Sequence, residues 1–128
     1  MAGILKHWGP PLIWAALIFL LSSSSLDQVP TLDLFLADKA AHVVFFGVLA
    51  LLLFRVFRRW SALSWGRAAM LAIVVTSLYG VLDEIHQSFV PGRSPELADW
   101  VADTTGACAG LAIVAMCCRI RGPRPEKY

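Results

Sequence analysis

Four apolar segments constrain the fold of this chain more than any other feature, at roughly residues 8–25, 40–57, 68–89 and 97–118. As α-helices rising about 1.5 Å per residue, segments of this length can cross the roughly 30 Å hydrocarbon core of a bilayer. Backbone groups in hydrocarbon need internal hydrogen bonds, and a helix provides them. Only 16% of residues are charged, against about a quarter in soluble domains. The sequence predicts an all-α membrane protein, a four-transmembrane-helix bundle.

The first apolar segment also has features of a signal peptide, because Lys6 precedes it. This segment is not followed by an A-x-A cleavage pattern, and three further apolar segments come after it. We therefore interpret it as an uncleaved membrane helix. Pro10 and Pro11 are expected in its first turn. Residues 26–39 are predicted to form a loop with at most one amphipathic helical turn. Residues 1–118 then form one transmembrane domain, and residues 119–128 a basic cytoplasmic tail.

Basic residues fall almost entirely on one side of the predicted bundle. Nine of the eleven share that side: Lys6, Arg55, Arg58, Arg59, Arg67, Arg119, Arg121, Arg124 and Lys127. Only Lys39 and Arg93 lie on the other. Since cytoplasmic loops carry an excess of Lys and Arg, both termini are predicted to be cytoplasmic.

Polar residues form a row near the outer end of three helices. These rows are Asp38 and His42; Tyr79, Asp83 and Gln87, with Glu84 at the margin; and Asp99, Asp103, Gly106 and Gly110. Residues four apart share one face of a helix. Small residues allow helices to approach closely, so Gly106 and Gly110 are predicted helix-packing residues, and the stripe that they share with the acids faces the bundle.

These rows predict an outward-facing polar pocket. Its predicted ligand-binding residues are Asp38, Lys39, His42, Tyr79, Asp83, Glu84, Gln87, Arg93, Asp99 and Asp103. The acids in this set outnumber the bases. We therefore expect at least one carboxyl group to be protonated near neutral pH, or a cation to balance the charge.

Several short motifs follow one another along the chain. They are LIFLLSSS at residues 17–24, Asp38-Lys39-x-x-His42, Tyr79-Gly80-x-x-Asp83-Glu84-x-x-Gln87, Phe89-Val90-Pro91-Gly92-Arg93-Ser94, Asp99, and Gly106-x-x-x-Gly110. As an ordered set spanning roughly residues 14–115, they resemble the VanZ-like family of small bacterial membrane proteins.

The resemblance implies a multi-pass protein of the bacterial cytoplasmic (inner) membrane with a role in the cell envelope. The family's namesake is associated with resistance to the glycopeptide antibiotic teicoplanin. The family usually has Asn where this chain has Asp103, so this pocket carries an additional carboxylate. His86 lies outside the family pattern and is interpreted as an interfacial residue.

The favoured hypothesis is a non-enzymatic site for a lipid head group, a lipid-linked wall precursor or a glycopeptide. Lys39 and Arg93 would hold a phosphate group, Arg93 through paired hydrogen bonds and Lys39 as a point charge. Membrane lipid is the expected partner, and a homo-oligomer is compatible with the sequence.

Three alternatives remain. A membrane-embedded enzyme acting on a lipid-linked substrate could use Glu84 or Asp83 as general base and His42 as proton carrier, and a metal bound by His42 with Asp or Glu would fit it. Intramembrane carboxylates also suit a small proton or lipid transporter. Finally, the charged groups could form ion pairs that only brace the helices.

The sequence favours none of the common catalytic classes. It contains no nucleophile elbow, HExxH motif or phosphate-binding loop. The three cysteines, Cys108, Cys117 and Cys118, form no CxxC pattern, which indicates neither a zinc site nor a disulfide framework. We therefore expect no cofactor, no metal site and no nucleic-acid partner.

Overall fold

The computed structural model describes residues 2–24, 32–59 and 63–120, apart from the side chains of residues 2–5, 33, 34 and 120. Within these ranges the chain forms four helices and no strand, so the predicted all-α class is confirmed. The helices are α1 (Ala2–Ser22), α2 (Leu32–Arg59), α3 (Trp65–Gln87) and α4 (Leu97–Ile120). Residues 121–128, most of the predicted tail, lie outside the described residues.

Three of the helices are long and apolar enough to cross a membrane, over Phe35–Arg59, Trp65–Gln87 and Leu97–Arg119. Large apolar side chains such as Met70 and Leu78 are exposed on them. A soluble monomer rarely presents extensive apolar surface to water. Their surface therefore suits contact with lipid.

The buried carboxylates and the helix-terminal arginines lie at opposite ends of the helices. We call the end at which α1 and α3 finish and α2 and α4 begin the acidic end, since the buried carboxylates lie there. The last turn of α2 carries Arg58 and Arg59, and that of α4 carries Arg119. These residues define the opposite, basic end.

The predicted loop over residues 26–39 is wrong for its second half, because α2 begins at Leu32. No glycine or proline interrupts residues 32–39, so the helix continues through these charged positions. Lys39 also contacts Asp99 at the start of α4, which holds this first part of α2 in the bundle. Residues 26–31 lie outside the described residues.

The position predicted for Pro10 and Pro11 is also wrong. α1 begins at Ala2, so both prolines lie inside the helix rather than in its first turn. Proline removes a helical N–H donor, and this weakens α1 internally. Contacts with α2 hold α1 in place: Trp14 Nε1 donates to the carbonyl of Phe45 at 2.9 Å, and Trp8 packs edge-on against Phe57.

Glycines bring α2 and α4 close together. A Cβ placed on Gly106 would overlap the backbone of Val43, and one on Gly47 would lie 3.0 Å from the carbonyl oxygen of Gly106. One on Gly110 would lie 3.3 Å from the carbonyl oxygen of Gly47. Only residues without a side chain permit this approach.

The turn between α3 and α4 brings its residues back over the acidic end. Gly92 has a φ of 80°, a conformation that favours glycine. The backbone N–H of Glu96 then donates to Glu84 Oε2 at 2.7 Å, which joins the end of this turn to α3. Arg93 is thereby directed towards α1.

We expect Gly106→Ala to destabilise the fold, because its Cβ would meet backbone atoms of Val43 that cannot rotate away. Overpacking a core costs roughly 1–3 kcal/mol. Gly66→Ala is the matched control: its Cβ has nothing within 4 Å, and alanine favours a helix by up to about 1 kcal/mol. Unfolding in mixed micelles measures both, and equal stabilities would show that the close approach is unimportant.

Candidate binding site at the acidic end

Lys39 is the centre of a cluster that joins α2 to α4. Its Nζ donates to Asp38 Oδ2 at 3.4 Å and Glu96 Oε2 at 2.8 Å, and it also donates to Asp99. An ammonium group has three N–H donors, and all three are used here. The side chain of Lys39 is 16% exposed and that of Asp99 only 4%. The pair is therefore largely withdrawn from solvent.

His42 and Asp103 form a second, deeper pair between the same helices. His42 Nδ1 lies 2.8 Å from Asp103 Oδ1, and Asp103 is fully buried. With Asp103 ionised and His42 neutral, Nδ1 is the donor of this hydrogen bond and Nε2 carries no proton. The ring of His42 stacks on Phe46 at an interplanar angle of 9°. Gly80 makes room for the Asp103 carboxylate, since a Cβ there would lie 2.7 Å from Oδ2.

A third group of contacts connects α1, α3 and the turn that follows α3. Asp83 Oδ2 accepts from Ser22 Oγ at 2.8 Å and from Gln87 Nε2 at 3.0 Å. Gln87 Oε1 in turn accepts from Arg93, which also donates Nε to the carbonyl of Ser24 at 3.3 Å. Among the described residues no carboxylate lies within ion-pair distance of Arg93, so its charge faces only neutral acceptors.

A cavity of about 380 Å³ lies between α1, α2 and this turn. Its polar lining consists of Ser22, Ser24, Asp38, His42 and Arg93. Its apolar lining consists of Ile18, Leu21, Ala41, Phe45 and Phe46. The cavity therefore offers both charged, hydrogen-bonding groups and apolar groups to the same occupant.

Buried acceptors around the site outnumber their donors. Among the residues that the structure describes, Asp83 Oδ1, Glu84 Oε1 and Asp103 Oδ2 have no hydrogen-bond partner, and neither does Thr76 Oγ1. Leaving a buried polar group unpaired costs roughly 1–3 kcal/mol. Such groups in a native structure indicate a proton, water or ion that the side chains themselves do not supply.

Comparison with known proteins identifies the family. The family profile described as VanZ/LLP1 matches residues 8–118, which is most of the chain. The chain belongs to the VanZ/LLP1 family. The resemblance inferred from the short motifs is thus confirmed.

One relative with this sequence similarity is an uncharacterized protein of the fission yeast Schizosaccharomyces pombe. The two chains are 34% identical over 98 residues, which is 76% of this chain and 58% of the relative. The match therefore spans less than two thirds of the yeast protein. No solved structure matches the chain.

The family motifs meet at one end of the bundle, although they are far apart in the sequence. Asp38 and His42 line the cavity together with Arg93, more than 50 residues later. Four further residues of the predicted set contact these lining residues directly or through one another: Lys39, Gln87, Asp99 and Asp103. The Asp83 carboxylate accepts hydrogen bonds from Ser22 and Gln87.

Two residues of the predicted set lie elsewhere. Tyr79 donates its hydroxyl to the carbonyl of Ala15 at 2.7 Å and does not line the cavity. Glu84 faces a separate cavity of about 360 Å³ beside Pro95 and Trp100. Tyr79 therefore connects α1 to α3, and Glu84 connects α3 to the start of α4.

The structure also changes the role expected for Lys39. The sequence suggested that Lys39 and Arg93 hold a phosphate together, yet every donor of Lys39 is already directed at a carboxylate. Arg93 is the base that remains available to an anion.

Three polar residues of the site were absent from the predicted set: Ser22, Ser24 and Glu96. The run of serines at the end of the first apolar segment was a signal for the first two, but helix-end serines also commonly bond to their own backbone. His86, predicted to be interfacial, is partly exposed and contacts Ser23 and Phe19.

We expect Lys39→Met to destabilise the protein strongly, because it leaves Asp38, Glu96 and Asp99 without their shared cation. Removing one partner of a buried ion pair costs roughly 3–5 kcal/mol. Lys6→Met is the matched control, since Lys6 is exposed and far from these acids. The midpoint of unfolding in detergent measures the effect, and similar midpoints for the two variants would contradict it.

Proposed function

We propose that this VanZ/LLP1-family protein binds the anionic head group of a membrane amphiphile in the cavity between α1 and α2. The observation that carries the proposal is the cavity's mixed lining, in which Arg93, Asp38 and His42 occur together with apolar residues such as Ile18 and Phe45. A charged head group and the hydrocarbon attached to it combine the same two kinds of chemistry. The volume of about 380 Å³ lies within the usual range of ligand sites, roughly 300–1,000 Å³.

Arg93 is the proposed anion contact. Its guanidinium is always charged and can donate two parallel hydrogen bonds to a phosphate. Its present partners, Ser24 O and Gln87 Oε1, lie at 3.3 and 3.4 Å, longer than an ordinary N–H···O bond of about 2.9–3.0 Å. A phosphate oxygen would replace weak neutral acceptors with a charged one. The exposed side chain of Leu21 lines the same cavity, which gives the chain of an amphiphile a route from the lipid.

Three ligand classes share this chemistry: a phospholipid head group, a lipid-linked wall precursor and a glycopeptide antibiotic. The relative in a fission yeast favours a ligand common to bacterial and eukaryotic membranes. An anionic phospholipid meets that condition and is the proposed ligand. A role in resistance to glycopeptides would then follow indirectly, through a general function in the envelope membrane.

We expect Arg93→Ala to reduce binding of anionic lipid by roughly 10- to 100-fold, since a hydrogen bond to a charged group contributes about 1.5–3 kcal/mol and 1.4 kcal/mol is a factor of ten. Arg67→Ala is the matched control, because Arg67 is exposed at the basic end of α3. Native mass spectrometry after extraction from phosphatidylglycerol nanodiscs measures lipid retention, and phosphatidylcholine nanodiscs test the need for net charge. Equal retention by both variants would refute the proposed role of Arg93.

A second candidate function is an enzyme that acts on the same amphiphile, and the His42–Asp103 pair favours it. A histidine whose Nδ1 is held by a carboxylate can use Nε2 as a general base, and His42 lines the cavity. This geometry favours His42 over Glu84 or Asp83 as the proposed general base. Mass analysis of the nanodisc lipids distinguishes the two functions, because only an enzyme produces cleaved lipid, and His42→Gln would abolish it.

We further propose that all four helices cross the bacterial cytoplasmic membrane, with both termini in the cytoplasm. The three membrane-length helices and the collection of exposed arginines at the basic end support this arrangement. The site would then face the outer leaflet.

Cysteine labelling tests this topology in bacterial cells expressing a variant with its native cysteines replaced by serine. Ser94→Cys lies in the exposed turn at the acidic end, and Ser64→Cys is exposed next to α3 at the basic end. We expect a membrane-impermeant maleimide to label only Ser94→Cys in intact cells and both variants after lysis. Labelling of Ser64→Cys in intact cells would show that the orientation is the opposite of the one proposed.

A further inference from the structure

We propose that Asp38, His42 and Asp99 bind a divalent transition-metal ion such as Zn²⁺ or Mn²⁺ at the edge of the cavity. One potential ligand atom from each of the three residues lies within 4.8 Å of the other two. Three ligand atoms that each lie about 2.1 Å from one ion are about 3.4–3.6 Å from one another. The most widely separated pair therefore needs to approach by no more than about 1.4 Å.

The surroundings of His42 provide an independent indication. A histidine that binds a metal almost always donates its other ring N–H to a carboxylate or carbonyl, which fixes its orientation. His42 Nδ1 already donates to Asp103 Oδ1 at 2.8 Å. This leaves Nε2 for an ion, and stacking on Phe46 limits rotation of the ring. Asp103 is thus a positioning residue for the proposed site rather than a ligand.

The charge of the cluster also favours a cation. Asp38, Glu96 and Asp99 contact Lys39, so three carboxylates share one ammonium group, and a fourth, Asp103, pairs with His42. Lys39 engages Asp38 Oδ2 and Asp99 Oδ1, and each of these carboxylates has a second oxygen that can accept an ion. A divalent ion would bring the local charge closer to neutrality.

The donor set indicates the class of metal. Carboxylate oxygens alone would suit Mg²⁺ or Ca²⁺, whereas an imidazole nitrogen favours Zn²⁺ and related transition metals. Asp38 and His42 also line the cavity, so the remaining coordination positions of the ion would face its contents. The proposed metal site does not depend on the identity of the lipid ligand.

Metal binding can be measured on the full chain, purified with an affinity tag that contains no histidine. The exposed Cys108, Cys117 and Cys118 are first replaced with serine, because thiolates bind Zn²⁺. After treatment with EDTA, the protein is dialysed against Zn²⁺ or Mn²⁺ and analysed for bound metal. We expect one ion per chain.

Variants distinguish this site from surface binding. His42→Ala and Asp99→Asn should lose the stoichiometric ion, whereas His86→Ala, the matched control at the same end of the bundle, should retain it. Asp103→Asn should keep the stoichiometry but bind roughly 10- to 100-fold more weakly, the usual effect of changing a residue behind a ligand.

A spectroscopic measurement keeps the test valid if a variant fails to fold. Pulsed electron paramagnetic resonance of Mn²⁺ on the unsubstituted site should show coupling to one histidine nitrogen. Absence of a stoichiometric ion, retention of the ion by His42→Ala, or Mn²⁺ without nitrogen coupling would each overturn the proposal. Lipid retention by the Arg93 variants, measured in EDTA, reports separately on the proposed ligand.

Discussion

The close approach of α2 and α4 along Gly47, Gly106 and Gly110 determines the distances between the polar groups with which these two helices face each other at the acidic end. Without it, His42 could not reach Asp103, and Lys39 could not reach Asp99. Small residues are a general means of association between membrane helices, because lipid offers no hydrophobic driving force for it. In this bundle the same contact that packs the helices also sets the geometry of the site.

Lys39 and Arg93 both lie among the acidic residues of the acidic end, but their contacts differ. Lys39 is a compact charge surrounded by three carboxylates, so it joins the start of α2 to the start of α4. Arg93 comes from a turn, and within the described part of the chain its guanidinium has only neutral partners. A buried ion network can hold a fold together without binding anything, which describes the cluster around Lys39. The lining of the cavity, in which Arg93 pairs with none of the described carboxylates, is what a purely structural arrangement does not explain.

The sequence predicted the helical class and three of the membrane-length segments, because apolar length and helix geometry are local properties. It did not predict the start of α2, since the charges of LDLFLADK were interpreted as those of a loop and the contact of Lys39 with Asp99 on α4 is not visible in the sequence. It could not separate Lys39 from Arg93 either, because their partners Glu96, Asp99 and Ser24 are distant in the chain. The proximity of Asp99 to Asp38 and His42 is likewise a property of two packed helices and has no spacing pattern in the sequence.

The absence of a side chain at Gly80 has a consequence for how this family can change. The carboxylate of Asp103 occupies the space that a Cβ at position 80 would need, 2.7 Å from Oδ2. Positions 80 and 103 therefore share one volume, and a larger residue at position 80 requires a smaller or reoriented one at position 103. The residues at these two positions, 23 apart in the sequence, are therefore expected to covary within the family. The side chain at position 103 would then also determine the orientation of His42.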